Sequence, residues 1–124
     1  MRKWVAGALL LLPSCQSGSI DERRLVAIGT EPFWSLEISP GEVTYATPDN
    51  LLGSSAPARR VADRSGVTWT AQMQGQHLEL RVEVGACHDG VSDFRYPYRA
   101  SLRLGAATRS GCARNGPPHQ SPHS

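Results

Sequence analysis

His77-Leu78-Glu79-Leu80-Arg81-Val82-Glu83-Val84 is the cleanest periodic stretch in the chain. Leu78, Leu80, Val82 and Val84 fall on one side of it, and Glu79, Arg81 and Glu83 on the other. Side chains of an extended strand point alternately to its two faces, so a period of two predicts a strand with one dry and one wet face. Parallel sheets are covered on both faces, whereas antiparallel sheets are commonly covered on one. This segment therefore predicts a one-sided antiparallel sheet.

The neighbouring segments agree. The Gln74-Gly75-Gln76 turn precedes the stretch, and Val67–Met73 before the turn has strand character. Nearer the start, Trp34, Leu36 and Ile38 alternate with Ser35, Glu37 and Ser39, and Pro40-Gly41 separates them from Val43–Ala46. A Pro-Gly pair between two such runs predicts a tight turn. Leu25–Ile28, Tyr98–Leu104 and Thr108–Cys112 are the other strand candidates. Thr47–Arg60 holds Pro48, Asp49, Asn50, Gly53, Ser54, Ser55 and Pro57, and is expected to be a surface loop. No helix of ordinary length can be drawn beyond the first residues. The expected fold is all-β: a small antiparallel β-barrel or sandwich of about seven to eight strands with one disulfide.

The chain opens with Met1-Arg2-Lys3 and the apolar run Val5–Leu12, followed by Pro13-Ser14-Cys15. A basic start, a short apolar core and small residues before a cut form a secretory leader, and the run is too short to span a bilayer. Residues 1–14 are thus expected to be a signal peptide, 15–23 a polar tether, 24–113 the β-barrel domain and 114–124 a disordered tail. Of the 13 basic and 11 acidic side chains, Arg2 and Lys3 lie in the leader, so the exported part is formally neutral. A neutral surface offers no phosphate-neutralising face, and no nucleic-acid partner is expected.

Three cysteines occur. With Cys15 set aside, Cys87 and Cys112 are an even pair in an oxidising compartment and are expected to form a disulfide. Zinc is the rival reading of Cys87-His88 and Cys112, but no second Cys-x-x-Cys or His pair completes a site, and no metal is expected.

The densest polar cluster is His88, Asp89 and Asp93, with Arg95 beside it. Two carboxylates and an imidazole within six residues suit a cation or a sugar hydroxyl network. Equally, Asp89-Gly90 suits a turn in which the aspartate caps its own backbone, with Asp93 capping the next bend. Glu31, next to Pro32, could line a pocket or pair with Arg95 or Arg99. Trp34 suits the core or a barrel mouth. Tyr96 and Tyr98 either share one face of a strand or splay around a bend. Glu31, Trp34, His88, Asp89, Asp93, Tyr96 and Tyr98 are the candidate binding residues, grouped at one end of the barrel. Catalytic residues are not expected: there is no Gly-x-Ser-x-Gly turn, and the only interior histidines are His77 and His88. No phosphate-cradling glycine loop or dinucleotide fingerprint occurs, and no cofactor is expected.

The leader ending at Cys15 resembles a bacterial lipoprotein signal, which implies a diacylglycerol on the Cys15 sulfur. Pro13 departs from the small or β-branched residue usual there. Gln16 rather than aspartate after the cysteine implies the outer membrane, by resemblance to enteric lipoproteins. Three stretches resemble a family of small, largely uncharacterised bacterial envelope proteins and lipoproteins: Gly29-Thr30-Glu31-Pro32-Phe33-Trp34, Cys87–Asp93 with Tyr96-Pro97-Tyr98, and Gly111-Cys112-Ala113. Together they span residues 29 to 113, and Val91 stands where the family carries methionine. The resemblance implies fold and location: a non-enzymatic envelope lipoprotein on the periplasmic face, held to the membrane by its lipid, with an envelope protein or small molecule as ligand. A fold-level analogy with periplasmic inhibitors of c-type lysozyme supplies the alternative function, inhibition of a cell-wall hydrolase. Against that pattern, Pro57 follows Gly53-Ser54-Ser55-Ala56, and lysine is absent after Lys3.

Overall fold

A computed structural model describes Ile20 and residues 24–116. It is all-β, with eight strands closed into one antiparallel meander barrel. They are β1 (Leu25–Thr30), β2 (Phe33–Ser39), β3 (Glu42–Thr47), β4 (Asn50–Ala62), β5 (Gly66–Met73), β6 (Gln76–His88), β7 (Arg95–Leu104) and β8 (Ala107–Asn115). Each strand pairs with the next, and β8 closes the ring on β1 through Leu25↔Asn115 to Ile28↔Cys112.

The period of two dictates the interior. Leu78, Leu80 and Val82 of β6 are fully buried, as are Leu36 and Ile38 of β2, Leu25 and Ala27 of β1, and Val43 of β3. Trp34, Trp69, Met73 and Leu102 fill the space between them. Glu79, Arg81 and Glu83 lie on the wet face, where the Arg81 guanidinium donates to both Asp63 carboxylate oxygens at 3.0 Å. That pair holds the Asp63 carboxyl well below the usual range, the Ser65 backbone N–H adding to the effect, and raises Arg81 further still. The β4–β5 turn is thereby fastened to the outer wall.

Trp34 sets a steric rule at two glycines. A Cβ on Gly29 would overlap the Trp34 indole, and one on Gly111 would overlap both the Ile28 carbonyl and that indole. The ring therefore occupies the space beneath β1 and β8 that a side chain at either glycine would need.

Three expectations are corrected. Thr47–Arg60 is not a loop, since Asn50–Ala62 forms a 13-residue strand. Its polar residues are compatible with a strand because they bond sideways, as in Thr44 Oγ1 to Ser55 Oγ at 2.8 Å. Pro57 is tolerated by position. Ala58 donates its N–H toward β3, to the Gly41 carbonyl, so residue 57 turns its nitrogen toward β5, where pairing begins only at Ala58↔Ala71. Arg114 and Asn115, expected in the tail, complete β8. Within the expected tether, Ile20 packs against the core. The expected signal peptide, Cys15 and residues 117–124 lie outside the described residues.

Candidate functional site

The chemistry-bearing residues gather where β6 and β7 outrun their neighbours. Pairing of β5 with β6 stops at Gly66↔Glu83, and pairing of β7 with β8 stops at Tyr98↔Ala113. Beyond these points β6 and β7 remain paired to each other as far as His88↔Arg95. The ladder runs from Val84↔Tyr98 to Cys87↔Tyr96, so β6 carries one extra residue, a bulge that bends the arm. Val84, expected inside with Leu78 to Val82, is 45% exposed at this bend.

The arm folds back over the outside of the barrel. Ala27 and Ala113 belong to the core, so their neighbours Ile28 and Cys112 face outward. Cys112 is nevertheless only 2% exposed, because the arm covers it. The expected disulfide Cys87–Cys112 makes this join, with its Cα atoms 5.6 Å apart. Further along, Thr30 Oγ1 donates to the Asp89 carbonyl at 3.3 Å. A shallow cleft of about 200 Å³ remains between arm and wall, lined by Ile28, Thr30, His88, Asp89, Ser110 and the disulfide.

Asp89 organises the tip. Its Oδ1 accepts the N–H groups of Val91 and Ser92 at 2.8 Å, and its Oδ2 accepts the hydroxyls of Ser92 at 2.9 Å and Tyr96 at 3.1 Å. Four donors favour the charged form, the Ser92 N–H most strongly, and keep this carboxyl far below the ordinary range. The same contact and, above all, burial push the Tyr96 phenol up. Phe94 stacks edge-on against Tyr96 with centroids 4.8 Å apart, and the Arg114 guanidinium lies 6.0 Å from the Phe94 ring centre.

The candidate residues do not share one surface. His88, Asp89, Asp93 and Tyr96 are on the arm. Tyr96 and Tyr98 share a face of β7, yet Tyr98 enters the main core while Tyr96 closes the underside of the tip. Trp34 is 1% exposed inside the barrel, behind the wall the arm rests on, and presents nothing to a ligand. Glu31 is exposed in the β1–β2 turn, and among the described residues no ion pair joins it to Arg95 or Arg99; Arg99 instead faces Glu83 at 4.0 Å. Asp89 caps its turn as expected, whereas Asp93 is exposed and caps no bend. Among the described residues no group of three or more His, Cys, Asp or Glu is placed to hold a metal.

Sequence reasoning passed over Val91 and Phe94, which are 76% and 50% exposed at the tip. Their signal was visible, since bulky apolar residues inside a polar turn have no core to enter. Arg114 was hidden by its assignment to the tail.

Because Asp89 has a lower pKa folded than unfolded, its contribution is complete above the ordinary carboxylate value of about 4 and fades as pH falls below it. The protection factors of the Val91 and Ser92 amides, taken relative to intrinsic exchange at each pH, should therefore fall as pH drops below about 4. Asp89→Asn should show the faster exchange already at neutral pH, together with quicker tryptic cleavage after Arg95. Identical exchange in variant and wild type would remove Asp89 from this role.

No protein-family model, no curated protein and no solved structure matches the chain.

Proposed function

We propose that this chain is a non-enzymatic lipoprotein of the bacterial envelope, anchored through Cys15 at the periplasmic face of the outer membrane, whose barrel binds a protein partner with the β6–β7 tip. The single observation behind this reading is the tip itself. It is fastened by a disulfide, by Thr30 and by the Asp89 cap, yet displays Val91 and Phe94 to solvent. A pre-ordered loop loses little conformational entropy on docking, and exposed apolar side chains on such a loop suit a partner pocket. The barrel interior, filled by Trp34, Trp69 and their neighbours, is a packed core.

Chemistry at the cleft is disfavoured by its own hydrogen bonds. Ser110, His88 and Asp89 line it together, as a nucleophile, base and orienter would. But His88 Nδ1 accepts the Gly90 N–H at 3.1 Å, which leaves the neutral ring's proton on Nε2. Both Asp89 oxygens serve the loop and Tyr96 rather than the imidazole. The set lacks a free base.

Inhibition of a cell-wall hydrolase is the narrower form of the same reading, favoured by a tip shaped to enter a cleft. The Gly53–Ala56 segment adds nothing to it, because Ser54 and Ser55 are bound within the barrel wall. The test is affinity capture from envelope membranes with the tagged full chain, beside a Val91→Asp/Phe94→Asp variant. One dominant protein held by wild type and lost by the variant is expected. Equal recovery by both would sink the assignment of the tip, and lysozyme inhibition assays on the same pair separate the inhibitor reading. Mass spectrometry of the N-terminus checks the lipid.

A further inference from the structure

Strand β4 lies four places from β8 in the ring of eight, on the side of the barrel opposite the arm. Leu51 and Leu52 protrude there, 76% and 94% exposed. They sit in a bulge: the β3–β4 ladder passes from Tyr45↔Ser54 to Thr47↔Asn50, so Leu51, Leu52 and Gly53 oppose Ala46 alone. The bulge is ordered by side chains. Asn50 Oδ1 accepts the Gly53 N–H at 3.3 Å, Asn50 Nδ2 donates to Ser54 Oγ at 3.1 Å, and Gln74 Nε2 donates to the same oxygen at 2.9 Å. Gly53 takes φ +84°, which a side chain would resist. Two adjacent leucines are thus held out in water by a built structure.

Farther along the same strand is an open groove of about 450 Å³, where the β4–β5 ladder has only begun. Exposed Pro57 and half-buried Ala58 supply apolar surface over the buried Ala71, and exposed Arg59 supplies a basic edge. Asp49, exposed in the turn two residues before Leu51, brings the opposite charge to the protruding pair. Protrusion and groove lie on one strand of one molecule. A single two-fold axis across β4 would let each protrusion meet the other copy's groove, an arrangement that closes at two.

We propose that two copies of this chain form such a dimer, Leu51 and Leu52 of each entering the β4–β5 groove of the other, with Asp49 meeting Arg59. The arrangement leaves both β6–β7 tips pointing outward on opposite sides, so the dimer presents two copies of that surface. A partner with two sites would be held by avidity. The dimer itself rests on nothing assigned to the tip.

Sedimentation equilibrium of the full chain from micromolar to millimolar concentration is the test. A reversible monomer–dimer equilibrium is expected, weakened roughly ten-fold or more by Leu52→Asp. That residue is too exposed for the change to unfold the barrel, and circular dichroism checks this. Asp49→Arg and Arg59→Asp should each weaken the dimer, while the two combined restore it to within about three-fold of wild type, because the pair is exchanged in both copies. A monomer across the whole range, a dimer indifferent to Leu52→Asp, or a double exchange as weak as either single change each overturns the proposal.

Discussion

Trp34→Ala is expected to cost about 3–5 kcal/mol, as deletion of a buried aromatic side chain does when the walls cannot collapse. Collapse is obstructed here by construction. Trp34 lies against Gly29 and Gly111, which have no side chains to move inward, and the ladders on both sides hold the strands in register. A domain of this size has roughly 5–15 kcal/mol in total, and each kcal/mol moves the melting midpoint by about 4–8 °C. Melting should therefore fall by at least about 12 °C, read by far-UV circular dichroism rather than by the fluorescence of the residue removed. The neighbouring glycines provide the internal check. Gly29→Ala should be costly in wild type and nearly free in Trp34→Ala, since its obstruction is the indole. Gly111→Ala should stay costly in both, since it also meets the Ile28 carbonyl. Additive costs at positions 29 and 34 would show that the ring and the glycine do not contend for one volume.

How far the sequence disclosed this barrel follows from where burial is one-sided. Leu78, Leu80 and Val82 alternate with charged residues because one face of β6 is dry and the other wet, and that pattern needs no knowledge of the neighbours. Strand β4 was illegible for the converse reason. Its exposed side mixes Leu51, Leu52 and Val61 with Ser55 and Arg59, few of its side chains reach the core, and a bulge and a proline break its period, so closure of the ring rather than composition makes it extended. The candidate site was half legible. Asp89-Gly90 announced a capped turn, and two late cysteines announced a join. That the join runs to the outside of β8 depends on the Val84/Cys87 bulge, which turns the arm and which local propensity does not specify. The same bend separates the tip from Trp34 and Tyr98, which the sequence alone places beside it. All lie near one region of the wall, but the two rings are inside it and the tip is outside.

That separation makes the disulfide the most consequential bond outside the core. Cys87 and Cys112 are separated by 25 residues, and a cross-link closing such a loop removes unfolded-state entropy equivalent to about 3.5 kcal/mol in the chain-entropy model. The double variant Cys87→Ala/Cys112→Ala is expected to melt roughly 15–25 °C below wild type. The loss should be unevenly distributed. The arm makes no ladder with β8 beyond Tyr98↔Ala113, and its remaining ties to the wall are the Thr30 bond to the Asp89 carbonyl and the Arg114 approach to Phe94. Both are weak beside a covalent bond. Amide exchange in the double variant should therefore accelerate from Gly85 to Tyr96 well before it does in β2 or β5, and Ile28 should become accessible. If the tip is the binding surface, capture of its partner should weaken in step, because an arm that must be ordered on docking pays the entropy the disulfide had removed. A melting midpoint unmoved in the double variant would mean that the arm is held by packing alone, and uniform exchange across the barrel would mean that it is not a separable unit.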